Sequence, residues 1–139
     1  MAPIASGQKV TGLWKGGCFQ DFSDANDIGK LKVSRDLLHW EELPTAIYPR
    51  AWGDWAFSGS AVVDEQNTSG FKSGNESVLI AAYTSTGRVE CIAFSNDRGR
   101  TWIDYDKNPV VKHAGRDPKI IWHQPTQRWV MAVYDERPN

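Results

Sequence analysis

One turn motif occurs twice in this chain, and its spacing limits the folds that the chain can adopt. The first copy covers residues 34–40 (SRDLLHW) and the second covers residues 95–102 (SNDRGRTW). Acidic residues and a proline follow each copy, and a new apolar segment then begins at Phe57 or at Asp117. A repeat of more than about 50 residues, built of several short strands, is typical of the blades of a β-propeller.

The segments between these motifs alternate short apolar runs with polar turns. Residues 30–34 alternate polar and apolar side chains, as a half-buried strand does, whereas residues 77–84 are almost continuously apolar, as in a buried strand. Other predicted strands cover residues 57–63, 88–95, 120–122 and 129–134. No longer segment has a helical period. The sequence therefore predicts an all-β fold. A sandwich, a barrel and a propeller are the candidates, and the repeat favours the propeller.

The second copy of the motif indicates how such a turn is held. Asp97 is predicted to accept hydrogen bonds from backbone N–H groups about two residues later. Gly99 supplies a positive φ angle where the turn needs one, and Trp102 is predicted to pack on the core of the blade. The first copy has Leu38 in place of the glycine, so we expect a different turn geometry there. These features predict a structural turn and not a catalytic one.

The composition excludes several classes of protein. The 139 residues are enough for one domain with a core. A net charge of −1 and a pI of about 6.3 give no electrostatic basis for binding nucleic acid. The three histidines have no ligand spacing, so no metal site is predicted. Seven tryptophans and four tyrosines fit core packing better than sugar stacking, although both uses of aromatic rings stay open.

The cysteines and the N-terminus say little about the compartment. Cys18 and Cys91 define no disulfide framework: one bridge is compatible with the sequence, but we expect two free thiols. The first residues lack the basic and apolar regions of a signal peptide, so the sequence leaves the localisation unknown. No run approaches the ~20 apolar residues of a membrane span, and we therefore expect no membrane partner.

An Arg-Asp pair, Arg116 and Asp117, stands directly before Pro118 and the apolar run at 120–122. A polar turn and a second apolar run follow, so the pattern predicts a hairpin with the charged pair at the mouth of its first strand. A guanidinium favours the charged form of a neighbouring carboxyl group. Such a pair fits a structural salt bridge in a loop as well as a functional site, and the local pattern does not separate the two.

A series of further motifs runs in a fixed order along most of the chain. They are SRDLLHWEELP at 34–44, FSGSAV at 57–62, NTSGF at 67–71, SNDRGRTW at 95–102, NPV at 108–110, GRDPK at 115–119 and WVMAVY at 129–134. With these motifs the chain resembles glycoside hydrolase family 32, the β-fructosidases, which include levanases, exo-inulinases and invertases. We accordingly divide the chain into a poorly matched N-terminal segment, residues 1–30, and a partial propeller domain of this family, residues 31–139.

The resemblance implies a five-bladed β-propeller with its active site in the axial funnel, of which this chain would hold about two to two and a half blades. It implies retaining hydrolysis of β-fructosyl bonds in fructans or sucrose, without a cofactor or metal, by a nucleophilic carboxylate and a general acid. Asp117 matches a third acid, which stabilises the transition state through sugar hydroxyls, and Arg116 would orient it. Phe57 and Ser58 match positions that line the fructose pocket.

Two motifs of the family are missing from this sequence. The nucleophile's stretch, Trp-Met-Asn-Asp-Pro-Asn-Gly, does not occur, and no Glu-Cys pair follows Asp117. Glu90 and Cys91 precede it, so we interpret Cys91 as a core residue and Glu90 as a strand residue. The 139 residues alone are therefore expected to be inactive. We expect them to be a segment of a longer enzyme, or else to associate with copies of themselves, because a few blades alone leave sheet edges exposed.

Two alternative functions stay open from the sequence. The turn at 95–102 also fits the Asp-box of sialidase-like propellers, although no arginine triad for a sugar carboxylate is evident. A non-catalytic carbohydrate-binding or assembly module would keep the pocket wall, including Asp117, and lack the chemistry. The partner that the resemblance implies is a fructan or a sucrose-like carbohydrate. Members of the family are often secreted, which does not fix the compartment of this chain.

Overall fold

The computed structural model describes residues 32–34, 36, 38–48, 53–86 and 89–136 of the chain. These residues form nine β-strands and one short 3-10 turn, Gln124–Thr126, which confirms the predicted all-β fold. The strands are β1 (Lys32–Ser34), β2 (Trp40–Glu42), β3 (Ala56–Asp64), β4 (Val78–Ser85), β5 (Val89–Ser95), β6 (Ile103–Asp104), β7 (Val111–Lys112), β8 (Gly115–His123) and β9 (Arg128–Asp135). The predicted N-terminal segment, residues 1–30, lies outside the described residues.

The strands form three antiparallel sheets in chain order. β1 pairs with β2, and the central sheet has the order β3-β4-β5-β6, with β7 also paired to β5. β8 pairs with β9 in the third sheet. The first strands of the second and third sheets, β3 and β8, contact each other, as the inner strands of neighbouring blades do in a propeller. The described residues therefore form three successive antiparallel sheets, an arrangement that fits neighbouring blades of a propeller.

β4 is buried along its whole length because both faces of the central sheet are covered. Ala81 and Tyr83 belong to a cluster that includes Ile47, from the connection between the first and second sheets. Ile80 belongs to a second cluster that includes Ile120 of the third sheet. A strand that is covered on both faces needs no polar face, which explains the continuous apolar run in the sequence.

The outermost strand of the central blade is interrupted between β6 and β7, and a side chain fills the gap. The backbone N–H of Ile92 donates to Asn108 Oδ1 at 2.8 Å, and Asn108 Nδ2 donates to the Ile92 carbonyl oxygen at 2.7 Å. The amide of Asn108 thus replaces a strand peptide and keeps the backbone of β5 paired. The sequence does not predict β6 and β7, because two residues are too few for a periodic pattern.

One carboxylate holds the turn of the second motif copy. Asp97 Oδ1 accepts hydrogen bonds from the N–H groups of Arg100 and Thr101 at 3.0 and 2.9 Å, and Oδ2 accepts one from the Thr101 hydroxyl at 2.6 Å. Arg98 and Gly99 both have positive φ angles, 63° and 84°. The predicted roles of Asp97 and Gly99 are confirmed. The N–H donors lie three and four residues after the acid, and not two as predicted.

The first motif copy uses the same device in a shorter turn. Asp36 Oδ1 accepts hydrogen bonds from the N–H groups of Leu38 and His39, both at 2.8 Å. The donors lie two and three residues after the acid because this copy is one residue shorter, so the expected difference in geometry is confirmed. Trp102, which ends the second copy, packs against the core cluster of the central blade, as predicted.

The Asp97 turn gives a prediction about stability and pH. Partial burial opposes ionisation of Asp97, but hydrogen bonds from Thr101, Ser95 and Arg100 together outweigh it, so the pKa of Asp97 lies below its ordinary value of 3.8. A carboxyl group whose pKa is lower in the folded than in the unfolded protein adds stability above its unfolded-state pKa. That stability is lost as the pH falls through the folded-state value.

We therefore expect Asp97→Ala to lower the free energy of unfolding by about 2 kcal/mol at neutral pH. The loss should become smaller in acid, as the pH falls below the ordinary value of 3.8 and the wild-type carboxylate takes up a proton. Urea unfolding of the two proteins at both pH values measures this difference. Asp106→Asn, in the exposed turn after β6, is the control and should change stability by less than about 0.5 kcal/mol. An equal loss for Asp97→Ala at both pH values would contradict the carboxylate's role.

Candidate functional site

The inner strand β3 contains a two-residue bulge near its start. Its pairing with β4 shifts between Ala56 and Gly59, so Phe57 and Ser58 together oppose the single residue Thr84. Both residues of the bulge are half-buried. Bulges bend a strand and re-aim its side chains, and they are common beside active sites. The two predicted pocket residues therefore lie where the strand departs from regular pairing.

The inner strand β8 contains the same irregularity at the equivalent place in the repeat. Its pairing with β9 shifts between Arg116 and Lys119, and the intervening residues are Asp117 and Pro118. Asp117 has a φ angle of 59°, a left-handed conformation in which Asn and Asp are the favoured residues after glycine. Pro118 is fully buried, and a bulge is one of the few places where a strand tolerates proline.

This bulge corrects one prediction. The sequence pattern placed Arg116 and Asp117 at the mouth of a strand that begins at residue 120, whereas β8 begins at Gly115 and includes the pair. The charged pair and Pro118 break the apolar pattern, but pairing with β9 continues on both sides of them. The backbone that carries the Asp117 carboxylate is consequently fixed by strand pairing on both sides. The backbone of a loop residue would lack this support.

Thr84 connects the two bulges. It lies on β4 opposite the bulge of β3, its residue surface is 1% exposed, and its Oγ1 accepts a hydrogen bond from the N–H of Asp117 at 3.0 Å. A second link joins the inner strands further along, where the N–H of Ile120 donates to Ser60 Oγ at 3.1 Å. The structure thereby brings the predicted residues of β3 and β8 together at one end of the neighbouring blades.

Arg116 contacts two carboxylates and an aromatic ring. Its Nε lies 3.4 Å from Asp117 Oδ2, and its Nη1 pairs with Glu136. Its guanidinium carbon lies 5.0 Å from the centre of the Tyr134 ring, within the range of a cation–π interaction. The side chains of Arg116 and Asp117 are 45% and 52% exposed. The Asp117 carboxylate is therefore held beside a positive charge and open to a ligand.

Beneath Asp117 lies a buried polar cluster that the sequence did not identify as part of the site. Glu90 of β5 has no exposed surface, and it accepts hydrogen bonds from the Thr84 hydroxyl at 3.0 and 3.3 Å. Its Oε1 lies 2.7 Å from His113 Nε2. Glu90 is a strand residue, as predicted, but it is also two hydrogen bonds from Asp117. The register of the β4–β5 hairpin, which pairs Thr84 with Glu90, is the sequence signal that could have placed Glu90 beside the site.

Other predictions concern groups outside this cluster. Cys91 is buried in the core, as predicted, whereas Cys18 lies outside the described residues. Within the described ranges, no group of three or more His, Cys, Asp or Glu side chains is arranged to hold a metal ion. No helix in the same part of the chain has the length and apolar character needed to cross a membrane.

The fold defines the chain as a segment of a β-propeller whose inner strands, β3 and β8, carry matching bulges near their starts. The glycosyl hydrolases family 32 N-terminal domain matches residues 23–138, and the chain belongs to that family. The resemblance read from the sequence motifs is thereby confirmed.

Individual relatives agree with the family assignment. The chain is 50% identical to a levanase of Bacillus subtilis over 108 residues, which are 73% of this chain and 16% of the levanase. It is 42% identical to invertase 2 of Saccharomyces cerevisiae over 110 residues, 73% of this chain and 21% of the invertase. The structure of a β-fructofuranosidase from Schwanniomyces occidentalis complexed with fructosyl-erythritol matches with a TM-score of 0.70 and 37% identity, over 79% of this chain and 24% of that one. The chain thus spans between about a sixth and a quarter of the length of these proteins.

Proposed function

We propose that this chain forms part of the fructose-binding site of a retaining β-fructosidase that hydrolyses fructans or sucrose. The observation that carries the proposal is the Asp117 carboxylate, which is half-exposed on a bulge and linked through Thr84 to the bulge of Phe57 and Ser58. Relatives named levanase and invertase, and a neighbour complexed with fructosyl-erythritol, support a fructosyl substrate.

In this function Asp117 stabilises charge and does not attack the sugar. Retaining hydrolysis uses a nucleophile and a general acid about 5–5.5 Å apart, and positive charge develops on the sugar ring in the transition state. The ring hydroxyls then become stronger hydrogen-bond donors, so a carboxylate that accepts from them binds the transition state more tightly than the substrate. Arg116 orients this carboxylate. The nucleophile and the general acid belong to the two family motifs that this sequence does not contain.

The bulge of β3 supplies the other wall of the proposed pocket. Phe57 presents a flat apolar ring, which suits the apolar edge of a furanose. The Ser58 hydroxyl both donates and accepts hydrogen bonds, so it suits a sugar hydroxyl. Both residues act on substrate and transition state alike in this proposal, and they contribute mainly to binding.

Hydrolysis assays test the proposed function. The protein expressed from its complete gene is incubated with sucrose, inulin, levan and a sialoside, and released fructose and sialic acid are measured. We expect fructose from at least one fructosyl substrate, with retention of the anomeric configuration in the first product seen by NMR. Cleavage of the sialoside alone would replace the proposal with the sialidase alternative. Fructan binding without any turnover would favour the non-catalytic module.

Replacement of Phe57 tests the pocket wall. We expect Phe57→Ala to raise KM for the preferred fructosyl substrate about tenfold and to change kcat little, because the ring contacts ground state and transition state equally. Initial rates over a range of substrate concentrations separate the two constants. Phe57→Tyr, which keeps the ring, is the matched control and should stay near wild type. A fall in kcat with an unchanged KM would contradict a binding role.

A further inference from the structure

A fully buried carboxylate lies directly behind the proposed site, and the chemistry described so far does not use it. Glu90 is 0% exposed and is the second residue of β5, paired with Thr84 of β4. A carboxylate without access to water needs hydrogen-bond donors, since an unpaired buried charge is strongly unfavourable. Thr84 and His113 are its donors. Glu90 is therefore not a packing residue that an apolar side chain would replace without effect on its neighbours.

The hydrogen bonds around Thr84 have a fixed direction. A threonine hydroxyl has one proton to donate and lone pairs to accept with, whereas a carboxylate only accepts. The Thr84 proton is therefore directed to Glu90, at 3.0 Å, and the Thr84 oxygen is left to accept from the N–H of Asp117, also at 3.0 Å. Hydrogen bonds in such a chain polarise and strengthen one another. The chain thus runs from the Asp117 backbone through Thr84 to Glu90.

Within the bulge, between the paired residues Arg116 and Lys119, the backbone of Asp117 is held by its hydrogen bond to Thr84. The residues of the bulge interrupt the regular pairing of β8 with β9, Pro118 has no N–H to donate, and Asp117 holds a left-handed conformation. The hydrogen bond to Thr84 is the contact that ties this bulge to the central blade at its first residue. Just before the bulge, a methyl group at Gly115 would overlap the carbonyl oxygen of Tyr134 and the ring of His113. The strand entering the bulge therefore packs against the backbone of β9 and against His113 of the buried pair.

We propose that Glu90 is a positioning residue for the site: by fixing the Thr84 hydroxyl, the buried Glu90–His113 pair sets the backbone at Asp117 and hence the direction of its carboxylate. This inference rests on the proposed β-fructosidase function. In this proposal Glu90 does not contact the substrate and does not transfer a proton. Its effect reaches the reaction only through Thr84 and the backbone of Asp117.

Three variants test the proposal in the protein expressed from its complete gene. Glu90→Met removes the acceptor and keeps the length of the side chain, and Thr84→Val removes only the hydroxyl. We expect each to lower kcat by about tenfold to a hundredfold with little change in KM. Glu90→Gln retains an acceptor oxygen for Thr84, and a neutral imidazole accepts from the amide as well as it donates to a carboxylate. This variant is expected to keep kcat within about threefold of wild type.

The double variant shows whether the two residues act as one unit. Thr84→Val combined with Glu90→Met should lose no more activity than either change alone, because both break the same chain. Multiplied losses would overturn the proposal, and so would normal kcat in Glu90→Met. Ile80→Val, in the core of the same blade, is the control for a purely structural loss, and it should lower the melting temperature without lowering kcat.

Hydrogen exchange separates this inference from the proposed function. The N–H of Asp117 donates to Thr84, so exchange in a peptide covering residues 114–119 should become faster in Thr84→Val and Glu90→Met but not in Ile80→Val. This readout does not depend on activity. If the wild type hydrolyses no fructoside, the proposed function fails and the exchange data still test the positioning role. Unchanged exchange in both variants would overturn that role even in an active enzyme.

Discussion

Replacing Asp117 with asparagine is expected to lower kcat by about a thousandfold and to leave KM within a fewfold of wild type. The proposed role of this carboxylate is to accept hydrogen bonds that strengthen as charge develops on the sugar, and a neutral amide accepts them more weakly. Steady-state kinetics on sucrose or inulin with the protein from the complete gene measures the effect. A kcat within threefold of wild type would contradict the role assigned to Asp117.

Because of the backbone conformation of Asp117, the asparagine substitution should change the charge of the side chain without disturbing the fold. The φ angle of 59° at Asp117 is one that asparagine also adopts readily, so Asp117→Asn should leave the bulge and the stability of the protein intact. Asp117→Ala removes the carboxylate too, but alanine disfavours positive φ, which adds roughly 1 kcal/mol of backbone strain. Similar kcat values for the two variants, with a lower melting temperature for the alanine variant alone, would separate chemistry from folding. Asp106→Asn, a change at an exposed turn, should leave both properties unchanged.

The repeat in the sequence predicted more of the structure than any single motif. It placed Phe57 and Asp117 at equivalent positions of successive units, and the structure shows equivalent two-residue bulges there. Four long strands, β3, β4, β5 and β9, were also predicted to within one residue at both ends, because burial on one or both faces leaves a periodic or continuous apolar pattern. The pattern failed at β2 (Trp40–Glu42), whose three side chains are exposed and leave no such pattern.

The part of the site that the sequence did not reveal consists of contacts between distant residues. Glu90 and His113 are far apart in the sequence, and each alone has an ordinary structural interpretation. Their pairing follows from β7, which brings the chain back beside β5, and a two-residue strand is not predictable from its own sequence. The family motif at residues 115–119 therefore pointed to the exposed carboxylate of Asp117, whereas the buried carboxylate of Glu90 behind it required the sheet order.

Replacing Gly59 with alanine is expected to lower the free energy of unfolding by about 3 kcal/mol, a large loss for the addition of one methyl group. A methyl group at this position would overlap the carbonyl oxygen of Ala82 and lie 2.8 Å from the Cα of Tyr83. Both contacts are with the backbone of β4, which is buried on both faces and cannot move aside. Relief therefore requires β3 to move away from β4 directly after the bulge that holds Phe57 and Ser58.

Gly74 provides the matched control, because glycine is favoured there by the backbone conformation and not by crowding. It has a φ angle of 87°, but a methyl group there would meet no atom within 4 Å. Gly74→Ala should therefore cost only the strain of a positive φ angle, about 1 kcal/mol. Urea unfolding of both variants compares crowding at Gly59 with strain at Gly74. If both variants lose the same free energy of unfolding, β4 makes room for the methyl group at Gly59. The close approach of β3 and β4 would then not hold the backbone beside the bulge at Phe57 in place.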